Sequence, residues 1–165
     1  PRIKKIIKAM AETYGKSLGD EYAFPRIEEI ENVTVEDLME LRMGFRAKYI
    51  FDCISKLKNG EVDLSKADTL NTDDLRKELI SIKGVGQKVA DCVLLFSLKR
   101  RETFPTDVWI KRVMERLYFN DEEKDIKEIH AYAQEKWGEY CGYAQQYLFY
   151  YARSLKIGTD KEKKK

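Results

Sequence analysis

At 165 residues, with 43% hydrophobic and 36% charged side chains, the chain suits one soluble domain that buries roughly two-thirds of its unfolded surface. No apolar run approaches the ~18 residues that a membrane span requires, and no signal peptide is visible. The net charge of +2 reflects the tail Lys161-Glu162-Lys163-Lys164-Lys165, so the rest is near neutral and any affinity for a polyanion must come from a local patch.

Three cysteines (Cys53, Cys92 and Cys141) lie far apart with no C-x-x-C pair. This argues against a zinc site, an iron–sulfur cluster or a disulfide framework, and fits a reducing cytoplasm. The chain starts at Pro1 rather than Met, so it reads as a piece of something longer.

In chain order, Ile3, Ile6, Ile7, Met10 and Tyr14 recur at helical spacing over Arg2 to Tyr14, with Gly15 as the stop. Gly19 to Pro25 reads as a loop. Thr34 with Asp37 resembles a capping box for a short helix that ends at Gly44. Phe45 to Lys58 is a further helix, with Tyr49, Ile50, Cys53, Ile54 and Leu57 inward and Asn59-Gly60 closing it. Val62 to Asn71 is polar connection, and Thr72 is expected to cap the next helix, whose first turn carries Asp73 and Asp74.

The central stretch is Leu79 to Asp107. One run (Leu75, Leu79, Ile80, Ile82) and a second (Val89, Cys92, Val93, Phe96) flank a break, Lys83-Gly84-Val85-Gly86. Paired glycines permit positive φ and close backbone approach. A helix starting at Gly86 or Gln87 points free N–H groups out of the break, a ready site for a phosphate oxygen. Helices follow over Val108 to Tyr118, Ile126 to Trp137 and Tyr143 to Leu155. With no convincing alternating strand and no repeats, the chain is all-α, about eight helices in one domain over 1–158. The hairpin lies at about 79–98, and 159–165 is a charged, disordered tail.

Gly84-Val85-Gly86 is neither a phosphate-binding loop with G-K-[ST] nor a dinucleotide fingerprint, and G-x-G by itself is usually a tight turn. Between two amphipathic helices, and followed by Lys88, it resembles the helix-hairpin-helix of DNA-binding proteins. Phe104-Pro105-Thr106-Asp107-Val108 resembles the Pro/Asp signature of the helix-hairpin-helix DNA glycosylase superfamily. Three stretches then resemble the 8-oxoguanine DNA glycosylase/AP lyase family, in that family's order: Met43 to Tyr49, Lys83 to Cys92 and Gly142 to Phe149. The resemblance covers the chain up to its tail. It lacks the family's N-terminal β-rich domain, and the absence of cluster cysteines separates it from the endonuclease III branch.

The resemblance implies roles residue by residue. Lys88, in the first turn of its helix where the dipole favours a neutral amine, attacks C1′, expels the base and forms a Schiff base. β-Elimination then nicks the strand. Asp107 is implied as the catalytic aspartate that stabilises positive charge on the sugar, a role compatible with capping the helix at Val108. Phe149 and Cys92 are implied to sandwich the extruded base and Gln145 to hydrogen-bond its edge; core packing is the alternative for Phe149. Gly84, Val85, Gly86 and Gln87 would hold the DNA backbone. Phe45 would be the wedge, and Arg46 and Arg2 would contact the orphaned cytosine. Phe45 stands where the family commonly has Tyr, and Trp109 where many relatives have His. Lone His130 reads as a packing or surface residue.

No organic cofactor is expected and no side-chain metal site. A sodium or potassium ion shared by the Lys83 and Val85 carbonyls and a phosphate is implied by the resemblance. The expected partner is double-stranded DNA containing 8-oxoguanine or an abasic site, bound by a monomer without a membrane. The expected location is the bacterial cytoplasm and nucleoid or a eukaryotic nucleus. Two alternatives stay open: a non-catalytic helix-hairpin-helix DNA-binding module, and a glycosylase/lyase for another oxidised base.

Overall fold

A computed structural model describes residues 2–155 and 157; the predicted tail, 159–165, lies outside the described residues. Among the described residues there are nine α-helices and no strand. They are α1 (Arg2–Tyr14), α2 (Ile27–Ile30), α3 (Val35–Glu40), α4 (Ala47–Lys58), α5 (Thr72–Ile80), α6 (Gln87–Phe96), α7 (Val108–Tyr118), α8 (Ile126–Trp137) and α9 (Cys141–Ser154). Eight match the predicted runs, and the four-residue α2 is the addition. An isolated antiparallel bridge joins Ser17 to Tyr22 in the predicted loop. No helix among the described residues is long and apolar enough to cross a membrane.

Local chemistry explains most helix ends. Thr34 and Asp37 form the reciprocal box at the start of α3, with Asp37 N–H donating to Thr34 Oγ1 at 3.1 Å and Thr34 N–H to Asp37 Oδ2 at 2.8 Å. The bonds that the Thr34 N–H and hydroxyl donate to Asp37 Oδ2 hold that carboxyl below its ordinary range. Two predicted starts are corrected. The cap of α5 is Asn71, whose Oδ1 accepts Asp74 N–H at 2.9 Å, while the Thr72 hydroxyl instead bonds Glu102. Gly44–Arg46 forms a 3-10 turn, so α4 starts at Ala47 rather than Phe45. The polar connection after α4 holds a 3-10 turn at Leu64–Asp68 and a buried Val62.

The chain divides into two compact units, Pro1–Leu70 with Lys77–Val85, and Asn71–Arg76 with Gly86–Lys165. The first packs Met10, Ile30, Leu38, Met43, Ala47 and Ile54 into one core. The second is built on Ile110, Val113, Met114, Ile129, Ala133 and Leu148. Phe104, buried in the same core, stacks on Trp137 at 5.9 Å and meets His130 edge-on.

Candidate active site

In the first unit the turn of the hairpin, 83–85, is held by α4. Gly84 adopts φ +83°, and a Cβ there would lie 2.5 Å from the Tyr49 ring, so the turn needs glycine for both its conformation and its closeness. Lys83 N–H donates to the Asp52 carboxylate at 2.7 Å, the Lys56 ammonium donates to the Ser81 carbonyl, and Val85 N–H donates to the Ile82 carbonyl at 3.0 Å. Tyr49, Asp52 and Lys56 fall three and four residues apart, on one face of α4. Tyr49 also meets the Phe45 ring edge-on at 6.0 Å, and the Arg46 guanidinium lies over the same ring at 4.5 Å. Tyr49 therefore links the predicted wedge to the predicted hairpin. Phe45 is 64% exposed despite these contacts. Arg2 Nη2 donates to the Arg42 carbonyl at 3.2 Å.

The remaining site residues belong to the second unit. Gly86 caps α6 in extended conformation with no side-chain cap. Its carbonyl takes Val89 and Ala90 N–H, and among the described residues no backbone carbonyl takes the N–H of Gln87 or Lys88. Lys88 is exposed on the first turn, and half-buried Cys92 follows one turn later on the same face. The inward face of α6 differs from the one expected. Val89 and Phe96 are exposed, whereas Ala90, Asp91, Leu94 and Leu95 are buried. Asp91, 1% exposed, goes in on the same face as Ala90, Leu94 and Leu95, and Arg76 meets its charge there at 2.7 Å; Arg76 also pairs with Asp73. A buried ion pair is invisible to apolar periodicity.

Asp107 sits at the N-cap of α7, where Oδ1 accepts Ile110 N–H at 2.8 Å and the residue stays exposed. The segment before it is anchored. Thr106 is buried, its hydroxyl donates to the Phe104 carbonyl at 3.0 Å, and His130 Nε2 lies 3.0 Å from the same hydroxyl oxygen. Burial lowers the His130 pKa below the ordinary histidine value, so the ring is neutral at physiological pH. Half-buried and edge-on against Phe104, His130 is the packing residue of the two readings, packing or surface, that the sequence left open.

Gly142 lets α9 press against this segment. Its N–H donates to the Arg101 carbonyl at 2.7 Å, and a Cβ there would stand 2.3 Å from Leu95 Cδ1 and 2.9 Å from Arg101 O. Gln145, 5% exposed, donates from Nε2 to the Pro105 carbonyl at 3.0 Å and accepts at Oε1 from Gln146. Among the described residues one N–H and one lone pair of the amide stay unspent. Phe149, half-buried one turn further on, meets Trp109 edge-on at 4.9 Å and 83°. Trp109 Nε1–H donates to the Ile157 carbonyl at 3.1 Å. The contact between Trp109 and Phe149 had no signal in the sequence beyond the tryptophan itself.

Lys88 and Cys92 on α6, Asp107 on α7, and Gln145 and Phe149 on α9 thus share one unit. Leu95, Arg101 and Pro105 contacts to α9 tie these elements together. Among the described residues no group of three or more His, Cys, Asp or Glu side chains is placed to hold a metal ion.

A family model described as HhH-GPD superfamily base excision DNA repair protein matches residues 1–139. A probable N-glycosylase/DNA lyase of Methanothermobacter thermautotrophicus is 39% identical over 71% of this chain and 37% of its own. The Clostridium acetobutylicum 8-oxoguanine glycosylase/lyase, solved with double-stranded DNA containing cytosine opposite 8-oxoguanine, superposes with TM-score 0.87 and 41% identity, over 95% of this chain and 55% of that one. MBOgg1 in complex with a low-affinity DNA ligand gives TM-score 0.88 and 48% identity over 94% and 55%. The chain thus spans between about a third and just over half the length of these relatives.

Proposed function

The chain belongs to the HhH-GPD superfamily of base excision DNA repair proteins, and on that premise we propose that it excises oxidised guanine from duplex DNA and nicks the strand at the resulting abasic site. The observation that carries this reading is the grouping of an exposed first-turn lysine, an exposed capping aspartate and a Gln145/Phe149 face within one unit.

Backbone N–H groups of Gln87 and Lys88 suit a phosphate oxygen. The extruded base stacks on Phe149 with Cys92 on its other face, and the unspent N–H and lone pair of Gln145 meet its edge. The Lys88 amine attacks C1′, the glycosidic bond breaks, and its electron pair leaves with the base, which takes the proton released by the lysine nitrogen. The Asp107 carboxylate stabilises the positive charge on C1′ and O4′ in that step. Opening of the C1′–O4′ bond, with a solvent proton to O4′, leaves a protonated Schiff base. Loss of a C2′ proton then expels the 3′ phosphate. Phe45 fills the vacated place in the stack, and Arg46 and Arg2 face the orphaned base.

The carbonyls of Lys83 and Val85 accept no backbone N–H among the described residues, which fits a sodium or potassium ion. Such an ion would neutralise part of a phosphate charge there.

Borohydride trapping tests the proposal on a duplex with one 8-oxoguanine opposite cytosine, beside an abasic duplex and the variant Lys88→Gln. The expected result is a covalent adduct on both duplexes that vanishes in the variant. Trapping on the abasic duplex alone would restrict the chain to lyase chemistry. Binding without any adduct would make it a DNA-binding module.

A further inference from the structure

Trp109 is the second residue of α7, two positions after the capping Asp107, and its ring is pinned at both ends. The backbone is fixed by the first turn of α7, and the indole N–H is held by the Ile157 carbonyl. Ile157 is itself fixed, its N–H donating to the Ala152 carbonyl of α9 at 2.9 Å. Against this indole the Phe149 ring stands edge-on at 4.9 Å and 83°. Both rings pack on the same buried core, and Phe149 remains half-exposed. An edge-on aromatic contact restricts the partner ring about its side-chain torsions. Of the rotamers open to a helical Phe, the indole therefore selects one.

We propose that Trp109 is a positioning residue for base discrimination: it fixes the orientation of Phe149 and, through it, the stacking face offered to an extruded base. This rests on the reading of Phe149 as that face. Trp109 has no direct contact with the base in this account, so its effect is confined to DNA that carries a base at the flipped position. A duplex with an abasic analogue presents nothing to stack and is indifferent to it.

The test measures binding in a Lys88→Gln background, which blocks chemistry, to an 8-oxoguanine duplex and to the same duplex with a tetrahydrofuran abasic analogue. The readout is the ratio of the two affinities. Trp109→Ala and Phe149→Ala should each lower the ratio by roughly threefold to tenfold, the worth of an aromatic pair. The double variant should fall no further than Phe149→Ala alone, since one residue acts through the other. Trp109→Phe, which keeps a ring but not the N–H, should recover part of the ratio. A Trp109→Ala ratio equal to that of the parent, with Phe149→Ala lowered, overturns the positioning role and leaves the stacking face standing. Equal weakening on both duplexes makes Trp109 a packing residue and also overturns it. A ratio unmoved by Phe149→Ala removes the stacking reading, and this inference with it.

Discussion

Asp107 carries two duties that substitution can separate. It accepts one hydrogen bond from Ile110 N–H at 2.8 Å as the N-cap of α7, and in the proposed reaction its charge stabilises the sugar cation. Asp107→Asn keeps an acceptor at the cap and removes the charge, whereas Asp107→Ala removes both. The cap is worth about 1 kcal/mol. In a chain of 165 residues, Asp107→Ala should therefore lower the unfolding midpoint by roughly 2–4 °C. Asp107→Asn loses only the attraction of a charge for the helix N-terminus, about 0.3 kcal/mol at an exposed end, and should melt within about 1 °C of the parent. Excision should behave otherwise. Losing an electrostatic partner of a developing charge costs on the order of 10²–10³ in rate, so both variants should excise 8-oxoguanine at least about a hundredfold more slowly in single-turnover gel assays. Stability cannot account for such a loss, because about 1 kcal/mol leaves a protein of ordinary stability folded. An Asp107→Asn enzyme that excises at the parental rate would refute the electrostatic role and leave Asp107 as a helix cap.

Three further outcomes follow from the packing. Gly142→Ala gains helix propensity of about 1 kcal/mol but drives a methyl to 2.9 Å from the Arg101 carbonyl and 3.0 Å from that of Thr103. Overpacking of about 1–3 kcal/mol should win, and urea titration should show a lower midpoint together with weaker binding of the 8-oxoguanine duplex; an unchanged midpoint would mean that α9 can shift freely. Asp91→Asn leaves the Arg76 guanidinium without its buried partner. It should cost about 2–3 kcal/mol, less than a fully buried pair because Arg76 keeps Asp73, read by the same titration. His130 sits beside Thr106 and the Phe104 backbone and feels the charges of Asp91 and Arg76; its pKa is lowered mainly by burial. The unfolded chain therefore binds the proton more readily, and this contribution to stability is present above the ordinary histidine value of 6.5 and is lost as pH falls below it. The thermal midpoint should drop between about pH 7.5 and pH 5.5, and His130→Gln should flatten that slope.

Most helix ends and the hairpin turn were legible in the sequence because their causes are local; the starts of α4 and α5 were not. Thr34 with Asp37, Gly84 at the turn and Asp107 before Val108 each act on backbone within a few residues of themselves, and no distant contact is needed to recognise them. The spacing of Lys88 with Cys92 and of Gln145 with Phe149 is one helical turn, so their shared faces were equally legible. Only the tertiary structure decided which face of α6 turns inward. The apolar run Val89, Cys92, Val93 and Phe96 predicted one side, but Ala90, Leu94 and Leu95 bury the other, and Asp91 goes in with them because Arg76 meets its charge; a carboxylate counts against burial until its partner is known. The same holds for the grip of Asp52 and Lys56 on the hairpin, the closeness of Gly142 to Arg101, and the indole that stands against Phe149. Each joins residues from different helices or from a helix and a loop. Such pairings depend on how the helices pack, which no single stretch of chain encodes.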